Sequence, residues 1–418
     1  MKVWTALLIA LAVLGNPSAH AAAQGKRLIV TFKAGTTPAQ RQAALQQLGA
    51  TPVTEILSND TKHSFSAVVA EGNMTLAAAP KDSAIERVEE DYNIRWIEAL
   101  PTFSAPSSSF KDLGLAKFQQ SASAGLLHKA SLRSNIPWGI QRVNAPAAWD
   151  YTEGAGVRVA VIDTGIDSSH PQLQGKVDGG YNAITDCERR ECWQDDNGHG
   201  THVSGTIAAT RNGRGVVGIA PKARLYAVKV LSADGSGSLS DVIKGIIWAA
   251  NNGMNVANMS LGSPMPSETM ERALRYAKAR GVIVVAAAGN TGGSVGYPGA
   301  YPEVICVSAS DANDNIAEFS SRGDEVKFIA PGVDVVSTQM GGDYVSFSGT
   351  SMATPHVTGL AALAFSQGWR GLDGPDGVLQ ALRKAAVPLP NLTAQEQGFG
   401  MIDAGKLTRT ETAVAALQ

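Results

Sequence analysis

Apolar positions follow two rhythms along most of the chain. Residues 157–162, 224–230, 255–261 and 282–288 are short runs rich in Val, Ile and Ala, of strand length. Between them, 239–252 sets Val242, Ile243, Ile246 and Ile247 on one helical side, and 267–280 reads as a second helix stopped by Gly281. Runs as continuously apolar as 282–288 belong to strands buried on both faces. The pattern predicts an α/β domain over about 134–410: a mostly parallel sheet with helices on both faces. In that architecture ligands bind beyond the carboxyl ends of the strands, where Asp163 and the pair Gly289-Asn290 fall.

The first hundred residues carry a smaller pattern. Strands are predicted at 27–33, 63–71 and 93–98, and helices at 37–48, with Pro38 near its start, and at 83–91, with Ile85 and Val88 turned inward. This gives a small α+β unit of ferredoxin-like type over 26–99. From 100 to 133 the composition turns to Ser, Ala and Gly, including Pro106-Ser-Ser-Ser109, and no period survives, as in an exposed, cuttable linker. Residues 1–21 place Lys2 ahead of an apolar run at 3–14, then Gly15, Pro17 and Ala19-His20-Ala21, the pattern of a secretory signal. The run is too short to span a bilayer. An exported, unanchored protein with a small module, a linker and a large domain has the layout of a zymogen.

Composition narrows this further. The formal net charge of the 418 residues is -2 and no Lys/Arg block stands out, which argues against nucleic acid as a partner. With 44 glycines and few aromatics, the chain suits a loop-rich α/β enzyme. Cys187 and Cys192 enclose a polar tetrapeptide, and an oxidising compartment would favour a small disulfide loop worth about 2 kcal/mol. Cys306, in an apolar strand pattern, reads as a buried small hydrophobe.

The candidate chemistry lies in three stretches. Gly349-Thr-Ser351-Met-Ala-Thr-Pro-His356 follows a short strand pattern at 344–347 and leads into an apolar helix over 353–365, so Ser351 sits at a helix N-terminus. Pro355 is read as tolerated in the first turn. A serine there is ordinarily an N-cap, and only its company turns the reading toward catalysis. His199 follows a glycine-bearing loop and opens another helical stretch, and Asp163 ends a strand. Acyl transfer by an activated hydroxyl needs a serine to attack, a histidine to move its proton and an aspartate to orient the imidazole. His199 and His202 at i, i+3 lack a third ligand, which argues against a metal centre. His202 and His356 are read as structural. The Gly-x-Ser-x-Gly hydrolase motif is only approximated, and the chain order Asp, His, Ser does not suit it. Two rivals stay open on these residues: a binding protein that keeps the constellation without using it, and an esterase with the same three groups.

Val161-Ile-Asp-Thr-Gly-Ile-Asp167, His199-Gly-Thr-His-Val-Ser-Gly-Thr206 and Gly349-Thr-Ser-Met-Ala-Thr-Pro-His356 resemble the signature segments of the subtilisin-like serine proteases, and the likeness extends from about 136 to 404. The resemblance implies a secreted, monomeric endopeptidase acting on proteins, with Asp163, His199 and Ser351 as its triad. Asn290 and the Ser351 N–H would be the oxyanion donors, and no cofactor would be needed for the chemistry. It implies that Ser236, Gly237, Ser238 and Ser260, Leu261, Gly262 form two edges that hold a substrate as an added strand. Gly296 would border a roomy first pocket suited to large apolar side chains, with Leu239 and Val242 in a further apolar pocket and Gly289 also among the substrate-binding residues. The small unit resembles the family's inhibitory propeptide, cut off by the enzyme itself. Where many relatives carry an Asp that ligates calcium, this chain has His170-Pro-Gln172-Leu173. A neutral amide is a poorer ligand for a hard cation, although Asn212 keeps a ligand-type position, which leaves room for a weaker calcium site.

Overall fold

The structure, a computed structural model, describes residues 26–60, 64–72, 84–97 and 136–407. The expected signal segment and the whole of the expected linker lie outside the described residues. So does 408–410, the end of the expected large domain.

The small N-terminal domain runs β1 (Lys26–Phe32), α1 (Pro38–Gln47), β2 (Thr51–Leu57), β3 (Ser66–Gly72) and β4 (Ile85–Glu90). Its sheet is antiparallel in the order β2-β3-β1-β4, the order of a ferredoxin-like sheet. Thr37 and Gln40 close a reciprocal capping box that fixes the start of α1. Three expectations need correction, the first being the strand expected at 93–98 as part of this unit: residues 93–95 pair with 236–238 of the large domain instead. The strand at β2 was not anticipated, and the helix expected over 83–91 is strand β4. The three-residue spacing of Ile85 and Val88 looks helical, yet a bulge produces it. Phe32 pairs with Ile85 and Thr31 with Arg87, so Glu86 is the extra residue, and Ile85 and Val88 reach the same face. Both pack with Leu28, Val30 and Phe32 in the small domain's own core.

A short strand, β5 (Asn93–Arg95), leads away from this domain. The large domain follows with α2 (Trp138–Arg142), α3 (Ala145–Ala148), β6 (Arg158–Asp163), β7 (Val177–Asn182), α4 (His199–Ala208), β8 (Arg224–Lys229), β9 (Ser236–Ser238), α5 (Leu239–Asn251), β10 (Val256–Met259) and α6 (Glu268–Ala279). It continues with β11 (Ile283–Ala287), β12 (Val304–Ser310), β13 (Val326–Pro331), the hairpin β14 (Val335–Gln339) and β15 (Asp343–Phe347), α7 (Thr350–Ser366), α8 (Val378–Ala385), β16 (Ala386–Val387), α9 (Ala394–Gln397) and β17 (Met401–Ile402). The central sheet has the order β16-β17-β13-β12-β11-β10-β6-β8-β7, parallel except for the β16/β17 pair. One face packs on α4, α7 and α8 through residues such as Val203, Leu360 and Leu382, and the other on α5 and α6 through Ile246, Leu274 and their neighbours. This is the α/β architecture read from the sequence. Because β11, β10 and β6 are adjacent and parallel, the residues just past their carboxyl ends share one rim of the sheet.

The small domain lays its second sheet face on α5 and α6, where Ile29, Ala67 and Val69 join the same apolar cluster as Ile246 and Ile247. Two carboxylates finish the contact. Asp91 accepts from the backbone N–H and hydroxyl of Ser240, each at 2.8 Å, in the first turn of α5. Glu89 accepts from Glu268 N at 2.9 Å and Thr269 N at 3.2 Å, at the start of α6. Each meets unpaired N–H groups and the positive end of a helix dipole.

Candidate active site

Asp163 is the last residue of β6 and is fully buried. Its carboxylate accepts from His199 Nδ1, at 2.8 Å to Oδ1 and 3.0 Å to Oδ2. A carboxylate on Nδ1 keeps the proton there and leaves Nε2 as a lone pair. Nε2 is buried and has no hydrogen-bond partner among the described residues. The close approach of α4 to the end of β6 requires the glycine after His199: a Cβ on Gly200 would collide with the Gly165 carbonyl and stand 3.2 Å from Asp163 Oδ1.

Ser351 is the second residue of α7, and its Oγ donates to the Ser260 carbonyl at 3.1 Å. In return Ser260 Oγ donates to the Ser351 carbonyl at 2.8 Å. Pro355 explains that second bond. It is the sixth residue of α7, not a first-turn residue as expected, and it lacks the N–H that would have bonded the Ser351 carbonyl. Ser260, just past β10, supplies the missing donor and ties the helix start to the sheet rim.

Asn290 lies just past β11. Its Oδ1 accepts from Thr350 N at 2.8 Å and Thr350 Oγ1 at 2.9 Å, which leaves Nδ2 as the amide's donor end. Thr350 Oγ1 in turn accepts from Gly289 N at 3.2 Å. Asn290 and Ser351 stand in the wall of a cavity of about 320 Å³, together with Leu261, Gly262, Gly289 and Gly296. A Cβ on Gly296 would come within 3.1 Å of the Ser263 carbonyl, so glycine keeps that wall thin. Leu239 and Val242, in the first turn of α5, are buried in one apolar cluster with Leu261 and Trp96.

Neither of the two edges is bare. β5 pairs antiparallel with β9, setting Ile94 against Gly237 and Arg95 against Ser236. Trp96 donates its N–H to the Gly235 carbonyl at 3.0 Å, and its carbonyl accepts from Gly262 N at 3.0 Å. Residues 93–97 of the chain thus lie between the edges as an added strand, the arrangement expected for a peptide substrate. The Trp96 ring is buried, with Nε1 donating to the Gly237 carbonyl at 2.9 Å, and stacks on Tyr92 at 6.1 Å between centroids.

Several supports were missed by sequence reasoning. Asp195 accepts through Oδ1 from Thr164 Oγ1 at 2.8 Å, Asn197 N at 3.0 Å and Gly198 N at 3.0 Å, and through Oδ2 from Thr201 N at 2.9 Å and Thr201 Oγ1 at 2.5 Å. Thr164 Oγ1 accepts from Gly200 N at 3.0 Å. One carboxylate therefore fixes the residue after Asp163 and those on both sides of His199. The buried Lys229 braces the same loop, donating to the Thr164 carbonyl at 2.8 Å and Asp196 Oδ1 at 2.7 Å. A carboxylate four residues ahead of a helix-opening histidine was the available signal.

The sequence profile of the Subtilase family, Peptidase_S8, matches residues 154–400. The chain is 49% identical over 283 residues to M-protease of Shouchella clausii (strain KSM-K16), covering 67% of this chain and 71% of that one. It is 49% identical over 279 residues to Subtilisin Savinase of Lederbergia lenta, covering 66% of this chain and 99% of that one. The chain belongs to the subtilase family. Kinship extends to an intracellular serine protease of Paenibacillus polymyxa, 44% identical over 280 residues, covering 64% of this chain and 85% of that one. The subtilase is accordingly a serine endopeptidase acting on protein substrates, and its α/β sheet is the family's.

Beside the site, the subtilase joins Cys187 to Cys192, with Cα atoms 6.1 Å apart, in the loop ahead of α4. Cys306 is a free, buried thiol whose pKa burial pushes up. His202 and His356 serve the structure. His202 Nε2 bonds the Val335 and Val345 carbonyls at 3.0 and 3.2 Å, and burial pushes its pKa down to about 3. His356 Nδ1 contacts the Met352 carbonyl at 2.9 Å, and burial lowers its pKa to about 4. No helix among the described residues is long and apolar enough to cross a membrane.

Proposed function

We propose that this subtilase is made as a self-processing zymogen and cuts proteins with Asp163, His199 and Ser351 as its triad. The observation that carries the reading is the Asp163–His199 pair, which holds Nδ1–H and leaves a buried, unpartnered Nε2 as proton acceptor. Ser351 Oγ gives up its bond to the Ser260 carbonyl, passes its proton to Nε2 and attacks the scissile carbonyl. The oxyanion that forms meets Asn290 Nδ2 and the Ser351 N–H, at the positive end of α7. His199 then protonates the leaving amine, and water repeats the sequence to release the acyl group. Substrate lies along 236–238 and 260–262, with a large apolar side chain in the cavity bordered by Gly289 and Gly296.

The small domain is the propeptide in this reading, an inhibitor that holds 93–97 in the substrate's place. Cleavage then falls within the segment between 97 and 136, outside the described residues. Export follows from the expected signal and agrees with the disulfide. The catalytic domain acts as a monomer.

Intact mass and N-terminal sequencing of wild type and Ser351→Ala test this. Wild type shortened to a start between about 100 and 134, with Ser351→Ala still carrying its small domain, is the expected result. Full-length chains from both, with no reaction toward a fluorophosphonate, would leave a binding protein. Ester hydrolysis without protein cleavage after loss of the small domain would favour the esterase.

A further inference from the structure

The loop after α4 bears on the calcium site that the family resemblance raises at Gln172 and Asn212. The Gln172 side chain is buried, and its Nε2 donates to the Arg214 carbonyl at 2.5 Å and reaches Asn212 Oδ1 at 3.4 Å. The residue's own carbonyl accepts from Thr210 N and Thr210 Oγ1, both at 3.0 Å. Gln172 thus grips both ends of the 210–214 loop. The amide's orientation follows from the short contact: two oxygens cannot stand 2.5 Å apart unsupported, so the atom facing the Arg214 carbonyl is the N–H₂.

Calcium binds oxygens at about 2.3–2.6 Å. Nε2 already stands at that distance from the Arg214 carbonyl, where the ion would be, and it brings hydrogens in place of an acceptor. The oxygens gathered here do not fit a cation. We infer that in this subtilase the Gln172 amide replaces calcium as the clamp of the 210–214 loop, so that the loop is held without a metal ion. The clamp does not depend on the catalytic assignments above.

The isosteric variant Gln172→Glu gives the sharpest test, because it sets a carboxylate oxygen against the Arg214 and Asn212 oxygens. That repulsion is one a divalent cation relieves. Amide hydrogen exchange would be followed over 210–216 in the full chain carrying Ser351→Ala to prevent self-digestion, in chelator and in millimolar calcium chloride. With Gln172 present, protection is expected to be equal in the two media. Gln172→Glu is expected to lose about 10-fold or more of it in chelator, from one neutral amide–carbonyl hydrogen bond replaced by repulsion, and to recover it in calcium. If Gln172→Glu fails to fold, Gln172→Leu removes the donor without adding charge and should lose protection in both media alike. Calcium raising protection of 210–216 with Gln172 present would overturn the inference. So would unchanged protection in either variant.

Discussion

The Gly262 amide donates to the Trp96 carbonyl at 3.0 Å, joining the edge past β10 to the strand that leaves the small domain. If that strand inhibits, the buried Trp96 is its anchor, because an aromatic ring in a desolvated pocket carries a large share of interface energy. Residues 26–97 added in trans should slow peptide hydrolysis by the processed enzyme. Trp96→Ala should raise the inhibition constant by about 30-fold or more, equivalent to at least about 2 kcal/mol. Equal inhibition by the two forms would remove Trp96 from the interface energy.

Replacing Asp163 by Asn keeps the shape but donates toward Nδ1, forcing the wrong tautomer. Turnover should fall about 10⁴-fold, the loss that the same change causes in a protease of unrelated fold with the same three groups; removal of the aspartate in subtilisin, a member of this family, costs a similar factor. Asn290→Ala should cost about 10²–10³ in turnover with little change in KM, again the loss known for an oxyanion asparagine in subtilisin. Steady-state kinetics of the processed enzymes checks both.

Asp195 touches none of the reacting atoms in the proposed mechanism, yet it fixes the backbone on both sides of His199. Asp195→Ala frees Thr164, Asn197, Gly198 and Thr201 together. We expect about a 10²-fold loss in kcat, the scale of an ångström misplacement, with KM nearly unchanged. Asp195→Asn, which keeps acceptor capacity on one oxygen, should recover part of it. A rise in KM at constant kcat would mean that Asp195 shapes substrate binding instead.

His202 and His356 should make the fold sensitive to acid. Both folded pKa values, about 3 and about 4, lie below the ordinary 6.5 because burial disfavours the charged ring. The unfolded chain therefore takes up protons that the folded one refuses. Their contribution is complete above about pH 6.5 and is lost as pH falls toward the folded values. At pH 5 each histidine should cost about 2 kcal/mol relative to neutral pH. Denaturant midpoints of the Ser351→Ala chain against pH would register the decline, and His356→Gln should remove about half of it.

The large domain was legible because its signals are local. The apolar run at 282–288 could only be a buried strand, and Asp163, His199, Asn290 and Ser351 each sit at an element end that sequence punctuation marks. The corrections arose where a tertiary partner decided the outcome. Ile85 and Val88 looked helical at a spacing of three, and only pairing with Phe32 and Val30 made that spacing a bulge. Pro355 reads as a first-turn residue only if the helix begins near 353 instead of at Thr350, and the Ser260 hydroxyl that compensates it comes from just past a distant strand. Four of the five donors to Asp195 are local, from Asn197, Gly198 and Thr201, and only the Thr164 hydroxyl is distant, so its tie to the residue after Asp163 exists only when α4 folds against the end of β6.

The two carboxylates that seat the small domain act on helices that hold their own caps. Ser238 Oγ already accepts from Asp241 N at the start of α5, and Ser267 Oγ from Met270 N at the start of α6. Asp91 and Glu89 are therefore second occupants, and their departure leaves both helices closed. What they add is charge, alongside the ion pairs Arg272–Glu86, Arg87–Glu268 and Arg280–Asp60 across the same boundary. The solvent-exposed ion pairs weaken as dissolved salt rises toward the molar range, where the reach of a charge shrinks to about 3 Å, while Asp91, whose side chain is buried, is screened much less. The apolar part of the contact does not fade with them. Salinity thus becomes a dial on how long the two domains stay together, and a brine would loosen the small domain sooner than fresh water.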